Sequence, residues 1–411
     1  MLQKIPSQKD FLERTVSTDL GDIIAYTNSL FDYALEMKSS DIHIEPAKDF
    51  VIIRFRASGE FIFVDKISHE EYAKLISRLK ILANLRIDEK YRPQDGKIAY
   101  HSERWNEGID VRVSILPLVE GEKAVMRILR QDTSLLSLDK LDFLDVNLEK
   151  IKKSLASRYG IILVAGPTGS GKSTTLFSML KSFNPLEYNI STLEDPVEYN
   201  IPFINQSQVK PSIGFDFAAG LRSLVRQDPD IIMVGEIRDK ETAMLAIEAA
   251  LTGHLVLSTI HTNSAAGTIQ RLINMGIEPF LVSSAVKMVI SQRLVKRLCP
   301  DCSTAHHIDD VSTKERIIEE LSGVVDESVE ELEFHRPKGC EKCDHTGYIG
   351  RLGVHEVLNM HEELNPLILN KASVQDIERK ARELGMISIV QDALIKSVTG
   401  KTSIEEALQL T

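Results

Sequence analysis

Residues 166–174 read Gly166, Pro167, Thr168, Gly169, Ser170, Gly171, Lys172, Ser173, Thr174, a spacing suited to a polyphosphate. Glycines lack the Cβ that would stop successive N–H groups from converging on phosphate oxygens. An apolar run, GIILVAG, precedes this stretch and a helical pattern, TTLFSMLKSF, follows it. That strand, loop and helix order is the setting the pattern needs, and the helix start adds positive potential. Lys172 would bridge the β- and γ-phosphates, and the Ser173 hydroxyl would ligate Mg²⁺. ATP with Mg²⁺ is the expected occupant.

Binding is not hydrolysis, which also needs groups that place water and absorb charge. DIIMVGEIRD (230–239) is a short apolar run ending in Glu236, so a carboxylate emerges where parallel strands present ligands. STLEDPVEY (191–199) ends a run with adjacent Glu194 and Asp195. TGHLVLSTIHTNSA (252–265) sets His254 before a strand and His261 at its end. The plainer alternatives stay open: a surface glutamate after a core strand, and histidines satisfied within the core.

The four cysteines form two C-x-x-C pairs, Cys299 with Cys302 and Cys340 with Cys343, with 37 residues between the pairs. Four thiolates fill one tetrahedral Zn²⁺ site and leave no open position, which makes the metal structural. The charged helical stretch 313–334 accounts for the long gap. Redox dithiols and plain reduced thiols are the alternatives. His306, His307 and His345 nearby are read as solvent residues.

These groups need a scaffold. The chain has 411 residues, 43% hydrophobic and 27% charged, enough for two or three domains with real cores. Lys plus Arg number 49 against 60 Asp plus Glu, a net charge of −11, so no direct nucleic-acid binding is expected. No apolar stretch is long enough to span a bilayer, and MLQKIPSQKDFLERTV has no signal-peptide core, which gives a cytoplasmic expectation. Residues 20–39 and HEEYAKLISRLKILANL have helical spacing. DIHIEP and VIIRFRASGEFIFVD alternate like strands, with Ser58-Gly59 as the turn. Two further strand patterns flank a Glu-Gly loop in 105–130. Residues 1–130 therefore read as an α+β domain and 131–150 as a linker. Residues 151–411, where NISTLE, DIIMVGE and HLVLSTI alternate with helices, read as an α/β domain. Within it lie the cysteine module, 297–352, and a helical tail, 353–411.

Together GPTGSGKSTTL, TLEDPVEY, DPDIIMVGEIRD and TGHLVLSTIHTNSA resemble, in order, the four motifs of the secretion/type IV pilus traffic ATPases of the GspE/PilB/PilT type. The resemblance runs over roughly residues 35–410 and implies a RecA-like P-loop ATPase domain with a smaller amino-terminal PAS-like domain. It implies that Glu194, Asp195, Glu198, Glu236, His254 and His261 act at the nucleotide. SSDIHIEP, RPQDGKIAY and DVRVSILPLVEGEKAVMRIL also resemble family segments. Arg112 and Arg127 there, 15 positions apart, are implied to neutralise phosphate charge, with Arg222 and Arg226 as further candidates. Ser58 stands in RASGE where the family often has an acid. The tetracysteine stretch is similar to that of secretion and pilus-extension members. The implied function is an ATP-hydrolysing homohexamer that powers pilin or pseudopilin assembly, held at the inner face of the cell membrane through a platform protein. A retraction or DNA-uptake motor, or a nucleotide-gated interaction protein with little turnover, is the alternative.

Overall fold

A computed structural model describes residues 19–410 apart from 58–59, 106, 131–135, 307, 309, 322–323 and 325–332. The Ser58-Gly59 turn, His307 and much of the 313–334 insertion lie outside the described residues. The chain divides into two compact units, Met1–Asp132 and Thr133–Thr411.

The first unit is built on a six-stranded antiparallel sheet of order β3-β2-β1-β6-β5-β4. Its strands are β1 (Asp41–Pro46), β2 (Val51–Ala57), β3 (Glu60–Ile67), β4 (Gln94–Ser102), β5 (Glu107–Leu118) and β6 (Gly121–Arg130). In β2 alternate residues are buried, the period-2 pattern of a strand with one covered face. Helices α1 (Ile23–Glu36) and α2 (His69–Leu82) share the core with that face, through Phe31, Leu75 and Leu79 beside Ile42, Ile44 and Phe55. Each starts at a capping side chain: Asp22 accepts from the Ile24 N–H, and Ser68 from that of Glu71.

In the second unit a seven-stranded sheet has the order β15-β12-β7-β11-β10-β8-β9. The strands are β7 (Gly160–Ala165), β8 (Ile190–Glu194), β9 (Asn205–Gln208), β10 (Ile231–Val234), β11 (Leu255–Ile260), β12 (Val286–Leu298) and β15 (Tyr348–Asn359), while β13 (Thr304–His306) and β14 (Phe334–Arg336) pair with each other apart from this sheet. All neighbours run parallel except β12 and β15. Cores lie on both faces, which is why β7, β10 and β11 are apolar throughout and show no alternation.

Two expectations change. From Leu136 on, the segment read as a linker belongs to the second unit: Leu136, Leu138 and Phe143 are buried against Ile162 and Val164. The tail from 353 is not helical at its start, because Gly353–Asn359 completes β15; that strand is buried along most of its length and so lacks alternation. The described part of the long insertion is a helix only over Val311–Leu321.

Candidate functional site

The 166–174 loop leaves the carboxyl end of β7 and enters α3 (Lys172–Leu180). Gly171 is the residue before that helix and has φ +88°, a left-handed value that favours glycine. A Cβ on Gly166 would meet Ser170 Oγ at 2.5 Å and the Gln292 carbonyl oxygen at 2.6 Å, so only glycine fits. Lys172 donates from Nζ to the carbonyl oxygens of Gly166 at 3.0 Å and Pro167 at 2.9 Å. Burial holds its pKa below the ordinary lysine value; Glu236 opposes that effect and Arg293 adds to it. The ammonium is thus folded over the loop, ready to exchange two carbonyls for phosphate oxygens.

A cleft of about 590 Å³ opens beside this loop. Thr168, Gly169, Gly171, Lys172, Ser173 and Thr174 line it, opposite Glu194, Asp195, Glu198, Glu236, Arg238 and His261. Glu236 follows β10 directly, and its strand end is pinned on both sides. The Gly235 N–H donates to Leu193 of β8 at 2.7 Å, and Thr259 Oγ1 of β11 donates to the Gly235 carbonyl at 2.6 Å. The Glu236 carboxylate pairs with Arg238 at 2.5 Å and lies 3.4 Å from His261 Nε2. Arg238 from the same loop and His261 from the end of β11 thereby converge on one carboxylate in the cleft.

Glu194 is differently placed. Its side chain is buried and accepts from Thr192 Oγ1 at 2.6 Å and Gln206 Nε2 at 2.9 Å. Burial raises its pKa against those hydrogen bonds and that of the Glu198 N–H. It ties β8 to β9, while the exposed Asp195 beside it faces the cleft. His254 is not brought to this cleft. It precedes β11, whose first residues pair with the start of β7, whereas His261 follows the end of that strand. Seven strand positions separate the two histidines by roughly 20 Å. His254 Nδ1 instead approaches the Ala249 carbonyl at 2.9 Å.

Arg112 and Arg127 lie in the first unit as a directly paired position of β5 and β6. Arg127 also pairs with Asp41 at 3.0 Å. Like charges directly opposite each other repel, and the Asp41 carboxylate offsets that repulsion at Arg127. Arg222 pairs with Glu241, and Arg226 donates to the Arg222 carbonyl; neither lines the cleft. Arg238, Tyr199, Leu294 and Arg351 do line it, and the motif reading passed over them. Arg238 sat inside a quoted motif, but Arg351 is brought in by the β12–β15 pairing, which no spacing announces.

The four cysteines meet as expected. Their sulfurs all lie within 4.8 Å of one another, with separations of 3.9 Å for Cys299–Cys340, 3.8 Å for Cys302–Cys343 and 3.7 Å for Cys340–Cys343. Four sulfurs at about 2.3 Å from a tetrahedral Zn²⁺ stand ~3.8 Å apart, so the residues fit the ion. N–H groups of Cys340 and Gly347 point at Cys343 Sγ at 3.1 and 3.2 Å, the kind of support that orients metal thiolates. Burial raises the Cys343 thiol, but those N–H groups together with the Cys340 and Cys302 thiols outweigh it and bring its pKa to about 6. Structural Zn²⁺ would be held by Cys299, Cys302, Cys340 and Cys343.

Residues 16–409 match the model of the family described as Type II/IV secretion system protein. The chain belongs to that family. It is 43% identical to the Type II secretion system ATPase E of Vibrio cholerae over 100% of this chain and 79% of that protein. It is likewise 43% identical to the type IV pilus assembly ATPase PilB of Myxococcus xanthus, over 96% of this chain and 69% of that one. Among solved structures, the pilus retraction motor PilT with bound ADP superposes with a TM-score of 0.67 at 25% identity, covering 93% of this chain and 96% of the other. The chain is therefore a P-loop ATPase of RecA-like fold with a tetracysteine site, and ATP with Mg²⁺ is what its cleft takes.

Proposed function

We propose that this chain is the ATP-driven motor of a type II secretion or type IV pilus assembly machine. It works as a homohexamer in the cytoplasm, at the inner face of the membrane, on a platform protein. The observation that carries the chemistry is the facing of Lys172 and Ser173 by Glu236 and His261 across one cleft. Lys172 trades its two loop carbonyls for phosphate oxygens, and the Ser173 hydroxyl would hold Mg²⁺, which would supply neutralisation of phosphate charge. Glu236 orients the attacking water, and His261 and Arg238 fix the direction of its carboxylate. The family resemblance makes Arg112 and Arg127 of the first unit candidates for meeting the charge that grows on a γ-phosphoryl group.

Relatives named for assembly and secretion match at 43% identity, against 25% for the retraction motor, and the tetracysteine site points the same way. No described helix is long and apolar enough to cross a membrane, which agrees with docking through a partner. The test is steady-state ATPase activity against mass from sedimentation, with and without Mg²⁺. Turnover that needs Mg²⁺ and rises with hexamer supports the proposal. A hexamer that binds ATP with no turnover would favour the nucleotide-gated switch.

A further inference from the structure

The buried polar pair in the middle of β12 is unexplained by the cleft chemistry. The strand is apolar through Val286–Ile290 apart from Lys287, then carries Ser291, Gln292 and Arg293. Ser291 pairs in register with Ala165, the last residue before the phosphate loop, so this stretch runs directly under it.

Gln292 is 2% exposed, and both ends of its amide are hydrogen-bonded. Nε2 donates to the Ser170 carbonyl at 2.6 Å, and Oε1 accepts from Thr175 Oγ1 at 2.8 Å. One amide therefore spans the loop and the first turn of the helix behind it. A Cβ on Gly171 would lie 3.0 Å from that Nε2, so Gln292 also helps explain why the loop needs its glycine. Consecutive strand residues face opposite ways. The residues either side of Gln292 accordingly reach another segment. Ser291 Oγ donates to the Asn263 carbonyl at 3.3 Å, and Arg293 Nη2 approaches Asn263 O at 3.4 Å and Oδ1 at 3.3 Å. Asn263 is two residues beyond His261. At its far end, this loop is anchored by Glu356 of β15, which pairs with Ser291 in register and accepts from the Ala265 N–H at 2.7 Å.

We propose that Gln292 is a positioning residue for ATP hydrolysis: its amide sets the shape of the phosphate loop, and through Ser291 and Arg293 the same three residues register that loop against the His261 loop. Filling the phosphate loop then shifts β12, and β12 shifts His261 relative to Glu236. The inference rests on the reading of the cleft as an ATP site.

The full-length chain tests it. Gln292→Glu keeps the size but points an oxygen at the Ser170 carbonyl. It lowers affinity for Mg-ADP and a fluorescent ATP analogue about tenfold, the loss expected for one buried hydrogen bond turned repulsive. The melting temperature without nucleotide falls, because the same buried bond is lost there, and the rise on adding Mg-ADP shrinks as well. Unchanged affinity overturns the proposal. If Gln292→Glu does not fold, Thr175→Val removes only the hydroxyl that Gln292 accepts from, and it too must weaken binding. A cycle of Thr175→Val with Ser291→Ala tests the registration. The two sites face opposite sides of the strand, and non-additivity in kcat of at least about twofold is expected; additive effects overturn the coupling. Lys172→Ala serves as the control. If it binds nucleotide as the wild type does, the ATP-site reading itself fails; if it abolishes binding while Gln292→Glu has no effect, only the present inference fails.

Discussion

Glu236 is held between Arg238 and His261, and that choice of neighbours separates the two histidines the motif pairs together. His261 touches the carboxylate; His254 stands at the opposite end of the same strand. Removing a positioned catalytic group costs on the order of 100-fold, so His261→Ala should lower kcat by roughly that factor. His254→Ala should leave kcat within about twofold. Equal losses in steady-state assays would return His254 to the site. Glu356 supplies a pH signature. Burial lifts its pKa to about 7, against the Ala265 N–H that favours the charged form. The folded chain thus holds this proton more tightly than the unfolded chain does. The resulting stability is complete below the ordinary carboxylate range and is lost as pH climbs through about 7. Glu356→Gln keeps an acceptor for Ala265 without the charge. Its melting temperature should exceed that of the wild type at pH 8, and the gap should close towards pH 5.

Elements whose burial pattern differs between their faces, or that carry a punctuating motif, were legible in the sequence. DIHIEP became β1 at the expected residues, and GIILVAG with the glycine loop gave β7 and its helix. The four motifs gave the cleft. The β12–β15 pair was not legible, because Leu352–Leu358 of β15 are buried without alternation and the partner strand lies across the cysteine module. That omission hid Arg351, which is brought to the cleft by this pairing, while Gln292 reaches the phosphate loop through the equally unannounced pairing of β12 with β7. The separation of His254 from His261 was also invisible: a motif gives order along the chain, not the end of the strand. The cysteine module closes off the ends of the same two strands, with Cys299 following β12 and Cys343 shortly before β15. Cys340→Ser should release stoichiometric zinc, measured by metal analysis. It should lower the melting temperature of the module more than it lowers affinity for Mg-ADP. Metal-free protein with wild-type stability would contradict the zinc assignment.

At the scale of the molecule, the second unit holds nucleotide-loop, carboxylate and histidine on one sheet edge, and the first displays a cross-strand arginine pair. The half-buried Lys172 ammonium is hydrogen-bonded to the Gly166 and Pro167 carbonyls, and a nucleotide phosphate has to take it from them. If Arg127 plays the role the family resemblance implies, Arg127→Ala lowers kcat at least tenfold and leaves ATP affinity nearly intact; an unchanged kcat removes it from the reaction. The central claim is that this cleft cleaves ATP with Glu236 directing the water. It is tested most directly by measuring ATP binding and steady-state turnover of Glu236→Gln in the same preparation. The account predicts wild-type binding with turnover reduced by roughly 100-fold or more. Turnover equal to that of the wild type would remove Glu236 from the reaction and contradict the mechanism.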